Sequence, residues 1–157
     1  MALALLLTFF VAASDERLDD ARPSGEAVVE FFASDLGLSC ERSEKGLAVH
    51  CDKSFYPAPS AHAGISLDGH SVRALAVGVG PAEGRPMVKG VELMLKSLEL
   101  PFPDARPADA RAWLLGCLGA RTLGERPSRL DLGSAFYECI GQSESPKYML
   151  VFRKARP

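Results

Sequence analysis

Apolar side chains recur at helical spacing in three stretches of the chain. In the first stretch Val28, Phe32 and Leu36 share one stripe, which predicts a helix over residues 25–36. Ser24 is placed to cap its N-terminus and Gly37 to end it. This helix would present an apolar face to a core.

Two further helices are expected in the second half of the chain. One begins near Pro86 and carries an apolar stripe of Met87, Val91, Met94, Leu95 and Leu98. The other runs from Pro107 to Leu118, with Trp113 among its apolar residues and Gly119 as its stop. Residues 120–133 lack periodicity, so we expect an irregular loop there.

Alternating apolar and polar residues predict three hairpins. They cover residues 38–51 around Lys45-Gly46, residues 65–79 around Asp68-Gly69, and residues 134–154 around a polar turn. In the long strand of the second hairpin, the bulky Leu75, Val77 and Val79 alternate with Ala74, Ala76 and Gly78. One face is therefore smooth, and we expect a helix to fit against it.

The order of these elements predicts an α+β fold. Hairpins pair antiparallel, so the strands form an antiparallel sheet with about three helices packed on one face. This outline is similar to that of small secreted inhibitors built from a helix followed by a bridged hairpin. The similarity is one of shape, without a matching sequence motif.

The four cysteines fit this arrangement as two disulfides. Turning the chain at Lys45-Gly46 places Cys40 opposite Cys51, on the core face that Leu38, Leu47 and Val49 would share. The remaining pair, Cys117 and Cys139, would tie the third helix to a later strand. Disulfides are typical of oxidising compartments, which favours a periplasmic or extracellular protein.

The first residues point to the same location. Residues 1–13 contain the run ALALLLTFFVAA, which is too short to cross a bilayer and is typical of a signal peptide. No Lys or Arg precedes the run, which predicts a leader truncated at its start. We expect residues 14–23 to be a flexible lead-in and residues 24–157 a single domain. The alternative is a buried N-terminal element of a cytosolic protein.

Composition narrows the class of partner. Lys and Arg number 18 against 20 Asp and Glu, for a net charge of -2, so the chain lacks the positive field that phosphate binding requires. We therefore expect no nucleic-acid partner and no transmembrane span. Apolar residues make up 47%, enough for an ordinary folded core.

Sequence signatures of catalysis and of cofactor binding are weak. No G-x-S-x-G or C-x-x-C motif occurs, and the loop Gly78–Gly84 departs from a dinucleotide-binding turn in spacing and through Pro81. A zinc site would recruit Cys40, His50, Cys51 and His62. However, His50 and Cys51 are adjacent on a strand and point to opposite faces, so we expect no metal and no cofactor.

A binding or inhibitor-like role fits these observations best. The candidate contact loop is Phe55–His62, in which Phe55 and Tyr56 are held between prolines and His62 has no evident structural partner. One alternative is a secreted hydrolase or metal-dependent enzyme that uses His62 or His50. Another is a self-associating envelope protein. The sequence leaves open whether the partner is a protein or a small ligand, and the oligomeric state.

Overall fold

Seven antiparallel strands form one sheet in the computed structural model, which describes residues 22–54, 60–80, 88–120, 122–141 and 145–154. The strands are β1 (Ser39–Arg42), β2 (Ala48–Ser54), β3 (Ser60–Asp68), β4 (Ser71–Val79), β5 (Leu130–Asp131), β6 (Ala135–Cys139) and β7 (Lys147–Phe152). Their order across the sheet is β1-β2-β3-β4-β7-β6-β5. The predicted α+β fold is confirmed.

Three α-helices accompany the sheet in the described residues: α1 (Gly25–Glu30), α2 (Val88–Ser97) and α3 (Pro107–Gly119). The Oγ of Ser24 accepts a hydrogen bond from the amide of Ala27 at 3.2 Å, so the predicted cap of α1 is confirmed. A wide π-helical turn over Phe31–Asp35 then carries α1 on to Leu36. None of the described helices is long and apolar enough to cross a membrane.

The helices cover the bulky face of the sheet. Trp113 of α3 stacks on Tyr137 with ring centroids 5.5 Å apart, and a Cβ added at Gly90 of α2 would lie 2.5 Å from Val79. The prediction that a helix fits the smooth face of β4 was wrong. Burying Leu75 and Val77 removes far more apolar area from water than burying alanine and glycine, so the helices pack on the bulky side.

Both predicted disulfides are present. Cys40 and Cys51 are directly paired between β1 and β2, and Cys51 is fully buried in the core. Cys117 and Cys139 join α3 to β6, with their Cα atoms 6.1 Å apart. One disulfide therefore links the two strands at the β1 edge of the sheet, and the other links a helix to β6 near the opposite edge.

Leu47 was expected on the core face beside Leu38 and Val49, but its side chain is 60% exposed. It precedes β2, which begins at Ala48, and its carbonyl accepts a hydrogen bond from the amide of Leu67. The pairing of β1 with β2 therefore does not extend far enough to turn Leu47 inward.

Two boundaries also differ from the sequence prediction. β3 begins at Ser60, so His62 lies in a strand instead of the predicted loop. The segment expected to be irregular, residues 120–133, contains a 3-10 turn at Leu123–Glu125 and the short edge strand β5. Cross-strand pairing with β2 and with β6 overrides the weak local patterns of these segments.

The chain enters the sheet at the start of β4. Pro23 accepts a hydrogen bond from the amide of Val72, and Arg22 forms an ion pair with Asp68 at 3.1 Å. Residues 1–21, with the predicted leader, and Phe55 and Tyr56 of the predicted contact loop lie outside the described residues.

Candidate functional site

The face of the sheet opposite the three helices is called the open face here, because no described helix or strand covers it. Three transverse rows of paired residues define it across β2, β3, β4 and β7. They are Ala48, Ser66, Ala74 and Val151; His50, Gly64, Ala76 and Met149; and Asp52, His62, Gly78 and Lys147. Most of the two central columns, β3 and β4, consists of glycine, alanine and serine.

A cleft of about 540 Å³ lies on this face. Its floor is formed by Gly64, Ser66, Ala74 and Ala76, and residues of β1 and β2 and Met149 of β7 line its sides. The wall strands β2 and β7 are three strand spacings apart, or about 14 Å. Both the volume and the mainly apolar lining are typical of a small-molecule site.

The floor is low because its positions on the two adjacent strands β3 and β4 carry only small residues. A Cβ added at Gly64 would meet no heavy atom within 4 Å, so open space lies directly above it. Ala74 and Ala76 continue the same level on β4, whereas Met149 rises beside them on β7. The depth of the cleft therefore follows from the choice of residues at a few alternating positions.

His62 and Lys147 meet over Gly78, one row beyond the floor. The Nε2 atom of His62 would lie 2.9 Å from a Cβ at Gly78, and the Cγ atom of Lys147 would lie 2.5 Å from it. The absence of a side chain at Gly78 therefore lets the imidazole and the lysine stem approach each other. Successive rows on one face are about 7 Å apart, so both groups lie one row beyond the residues that line the cleft.

The environment of His62 is positive. Partial burial lowers the pKa of His62 from its ordinary value, and the charges of Lys147 and His50 lower it further. Asp52 is the cross-strand partner of His62 on the other side. The ring itself lies over Gly78, on the side of Lys147.

The other two histidines are exposed. His50 lies on the wall of the cleft opposite Glu41, as the hairpin register predicted. His70 lies at the turn between β3 and β4. No group of three or more His, Cys, Asp or Glu in the described part of the chain is arranged to hold a metal ion. Ser66 and His50 both line the cleft, without a hydrogen bond between them in the described structure.

No protein-family model, no curated protein and no solved structure matches the chain.

Of the candidate site residues predicted from sequence, the structure places His62 and His50 on the same face, in neighbouring rows. The floor residues Gly64 and Ala76 and the rim residue Lys147 were not predicted as part of a site. The alternation of small residues along β4 was a visible signal for the floor. Nothing local marks Lys147, because its approach to His62 depends on the pairing of β4 with β7.

Proposed function

We propose that this protein is a small exported binding protein whose contact surface is the open face. The observation that carries the proposal is the cleft of about 540 Å³ on a sheet face that no described element covers. A sheet normally buries one face and leaves polar residues on the other. Here the second face has an apolar, low floor, which suits contact with a ligand.

The disulfides support this role because they hold the surface in shape before binding. Cys51 follows His50 in β2, so the Cys40–Cys51 bond stiffens the strand that forms one wall of the cleft. A surface that is already ordered loses less conformational entropy on binding. The bond between Cys117 and Cys139 ties α3 to β6 in the opposite half of the sheet.

Export is part of the proposal, to the periplasm or the cell exterior. Two disulfides are stable in an oxidising compartment and are rarely kept in the cytosol. Residues 1–13 would then be a signal peptide, and residues 24–157 the mature domain. Phe55 and Tyr56 precede β3 and His62 in the sequence, and they remain part of the proposed contact residues.

The two exposed histidines allow a direct test. Diethyl pyrocarbonate modifies accessible imidazoles, and His50 lies on the cleft wall whereas His70 lies at a distant turn. We would label the exported fraction of the native host before purification and label the purified protein separately, and then compare the two histidines by mass spectrometry. Intact mass and N-terminal sequence of the native protein would report leader removal.

The expected result is that both histidines react in the purified protein, whereas only His70 reacts fully in the exported fraction. Equal reactivity of His50 in the two samples would show that the open face is unoccupied at its natural location and would overturn the binding role. A native protein with an uncut leader and free thiols would overturn export.

A further inference from the structure

Basic side chains lie at two sides of the cleft. Arg42 and His50 belong to its lining on the side of β1 and β2, and His62 and Lys147 lie one row beyond the floor. The ammonium group of Lys147 has no hydrogen bond or ion pair with any residue that the structure describes. A lysine without a described partner, on a half-buried residue at the edge of an apolar surface, is a favourable place for an anionic group, because partial burial weakens screening by water.

The acidic residues that the structure describes on the open face do not occupy the position beside Lys147. Glu41 is the partner of His50 at the outer edge of the sheet, and Asp52 lies on the β2 side of His62. Glu138, on β6 beyond Met149, is paired with Arg129 at 3.4 Å. The Nε2 atom of His62 lies over Gly78 beside the lysine stem, and burial followed by the charges of Lys147 and His50 lowers the pKa of the ring.

The rest of the cleft favours an apolar body of low thickness. Its floor consists of Gly64, Ser66, Ala74 and Ala76, whose side chains are absent or short, and Met149 supplies an apolar wall. A flat ring system can contact such a floor over its whole surface, whereas a bulky chain would contact it along one edge. Shape and charge together therefore favour a ligand with a flat apolar body and an anionic group.

We propose that the cleft binds a small carboxylate with a flat apolar body, its ring on the Gly64–Ala76 floor and its carboxylate between Lys147 and His62. This assignment rests on the proposed binding function of the open face and names the class of ligand. The carboxylate accepts hydrogen bonds from the Lys147 ammonium and from the N–H group of the His62 imidazole.

The probe is 2-naphthoate, with methyl 2-naphthoate as the uncharged control of nearly the same shape. Binding to the intact, oxidised protein would be measured by calorimetry and by quenching of naphthalene fluorescence. The ester is expected to bind about tenfold more weakly, as is typical when a charge-assisted hydrogen bond is lost. Lys147→Gln should weaken the binding of naphthoate by a similar factor and leave the binding of the ester unchanged.

Two matched variants control for unrelated effects. Lys154→Gln removes an exposed lysine that lies outside the cleft and should leave naphthoate binding unchanged. Ala76→Leu fills the floor and should abolish binding of both probes, whereas Ala112→Leu, an exposed position on α3, should not. Intact mass and the thermal unfolding midpoint of each variant would establish that it is folded.

Each outcome separates this assignment from the broader binding role. Equal binding of acid and ester, insensitive to Lys147→Gln, would overturn the carboxylate assignment. Failure of naphthoate to bind up to its solubility limit would overturn it as well. If His50 is nevertheless protected in the exported fraction, the open face binds something else, such as a protein or a second copy of this chain. If His50 is unprotected too, the binding function itself fails.

Discussion

The hydroxyl oxygens of Ser97 and Tyr148 lie 2.6 Å apart in the core, where the two residues are 1% and 0% exposed. The Ser97 hydroxyl also donates to the carbonyl of Met94 at 2.7 Å, which leaves the phenol of Tyr148 to donate to Ser97. This short chain of hydrogen bonds joins the end of α2 to β7. Burial raises the pKa of Tyr148 well above its ordinary value, so the phenol remains a donor.

Replacing Ser97 with alanine is expected to destabilise the protein, because it leaves the buried phenol of Tyr148 without a partner. A buried polar group without a partner costs about 1–3 kcal/mol, and the loss should appear as a lower urea midpoint. The double variant Ser97→Ala, Tyr148→Phe should lose less stability than the sum of the two single variants. Additive losses would show that the two hydroxyls do not interact.

Gly90 and Gly116 provide a matched pair of helical glycines. A Cβ at Gly90 would lie 2.5 Å from Cγ1 of the fully buried Val79, whereas at Gly116 the nearest atom, Cγ of Pro127, would lie 3.4 Å away. Alanine is the better helix former by about 0.8–1 kcal/mol. Gly116→Ala should therefore raise the thermal midpoint, and Gly90→Ala should lower it.

The sign of the Gly90 result tests the packing of α2 on β4. If Gly90→Ala were stabilising like Gly116→Ala, then α2 could not lie as close to Val79 as the structure has it. Val79→Ala removes buried methyl groups and is destabilising by itself, but it also relieves the clash, so Gly90→Ala combined with Val79→Ala should lose less stability than the sum of the two single variants.

Removal of either disulfide should destabilise the domain. The bonds span sequence separations of 11 and 22 residues, and the chain-entropy model gives about 3 kcal/mol for loops of this size. Paired alanine variants at Cys40 with Cys51, and at Cys117 with Cys139, would be compared with the parent by urea denaturation. Urea midpoints unchanged from the parent would contradict a bracing role for the bonds.

His62 should make stability depend on pH. Its pKa in the folded state is lower than its ordinary value of 6.5, because burial and the charges of Lys147 and His50 disfavour the imidazolium, and the cross-strand carboxylate of Asp52 does not reverse this. At and below about pH 6.5 the unfolded state therefore binds more protons than the folded state, so the free energy of unfolding decreases as the pH is lowered.

The comparison is between the parent and His62→Gln across about pH 5 to 7.5, with His70→Gln as the control at an exposed turn. Loss of His62 should flatten the pH dependence over this range, and loss of His70 should not. An identical slope in the parent and in His62→Gln would show that His62 is not held in its neutral form.

Local patterns in the sequence determined much of the architecture. The periodicity of Val28, Phe32 and Leu36, the Asp68-Gly69 turn and the spacing of Cys40 and Cys51 each act over a few residues, so they could be interpreted without the rest of the chain. The register that pairs Cys40 with Cys51 and Glu41 with His50 is an example. In such a short hairpin, the turn position alone sets which residues face each other.

Tertiary structure alone decided which face of the sheet the helices cover and which side chains come together on the opposite face. The helices could have packed on either side of β4, and the choice follows from the greater apolar area of Leu75, Val77 and Val79 summed over the whole core. Lys147 reaches His62 because β4 pairs with β7, a contact between segments far apart in the chain. Such pairing costs loop-closure entropy, which apolar burial across the entire domain offsets, so no local pattern encodes it.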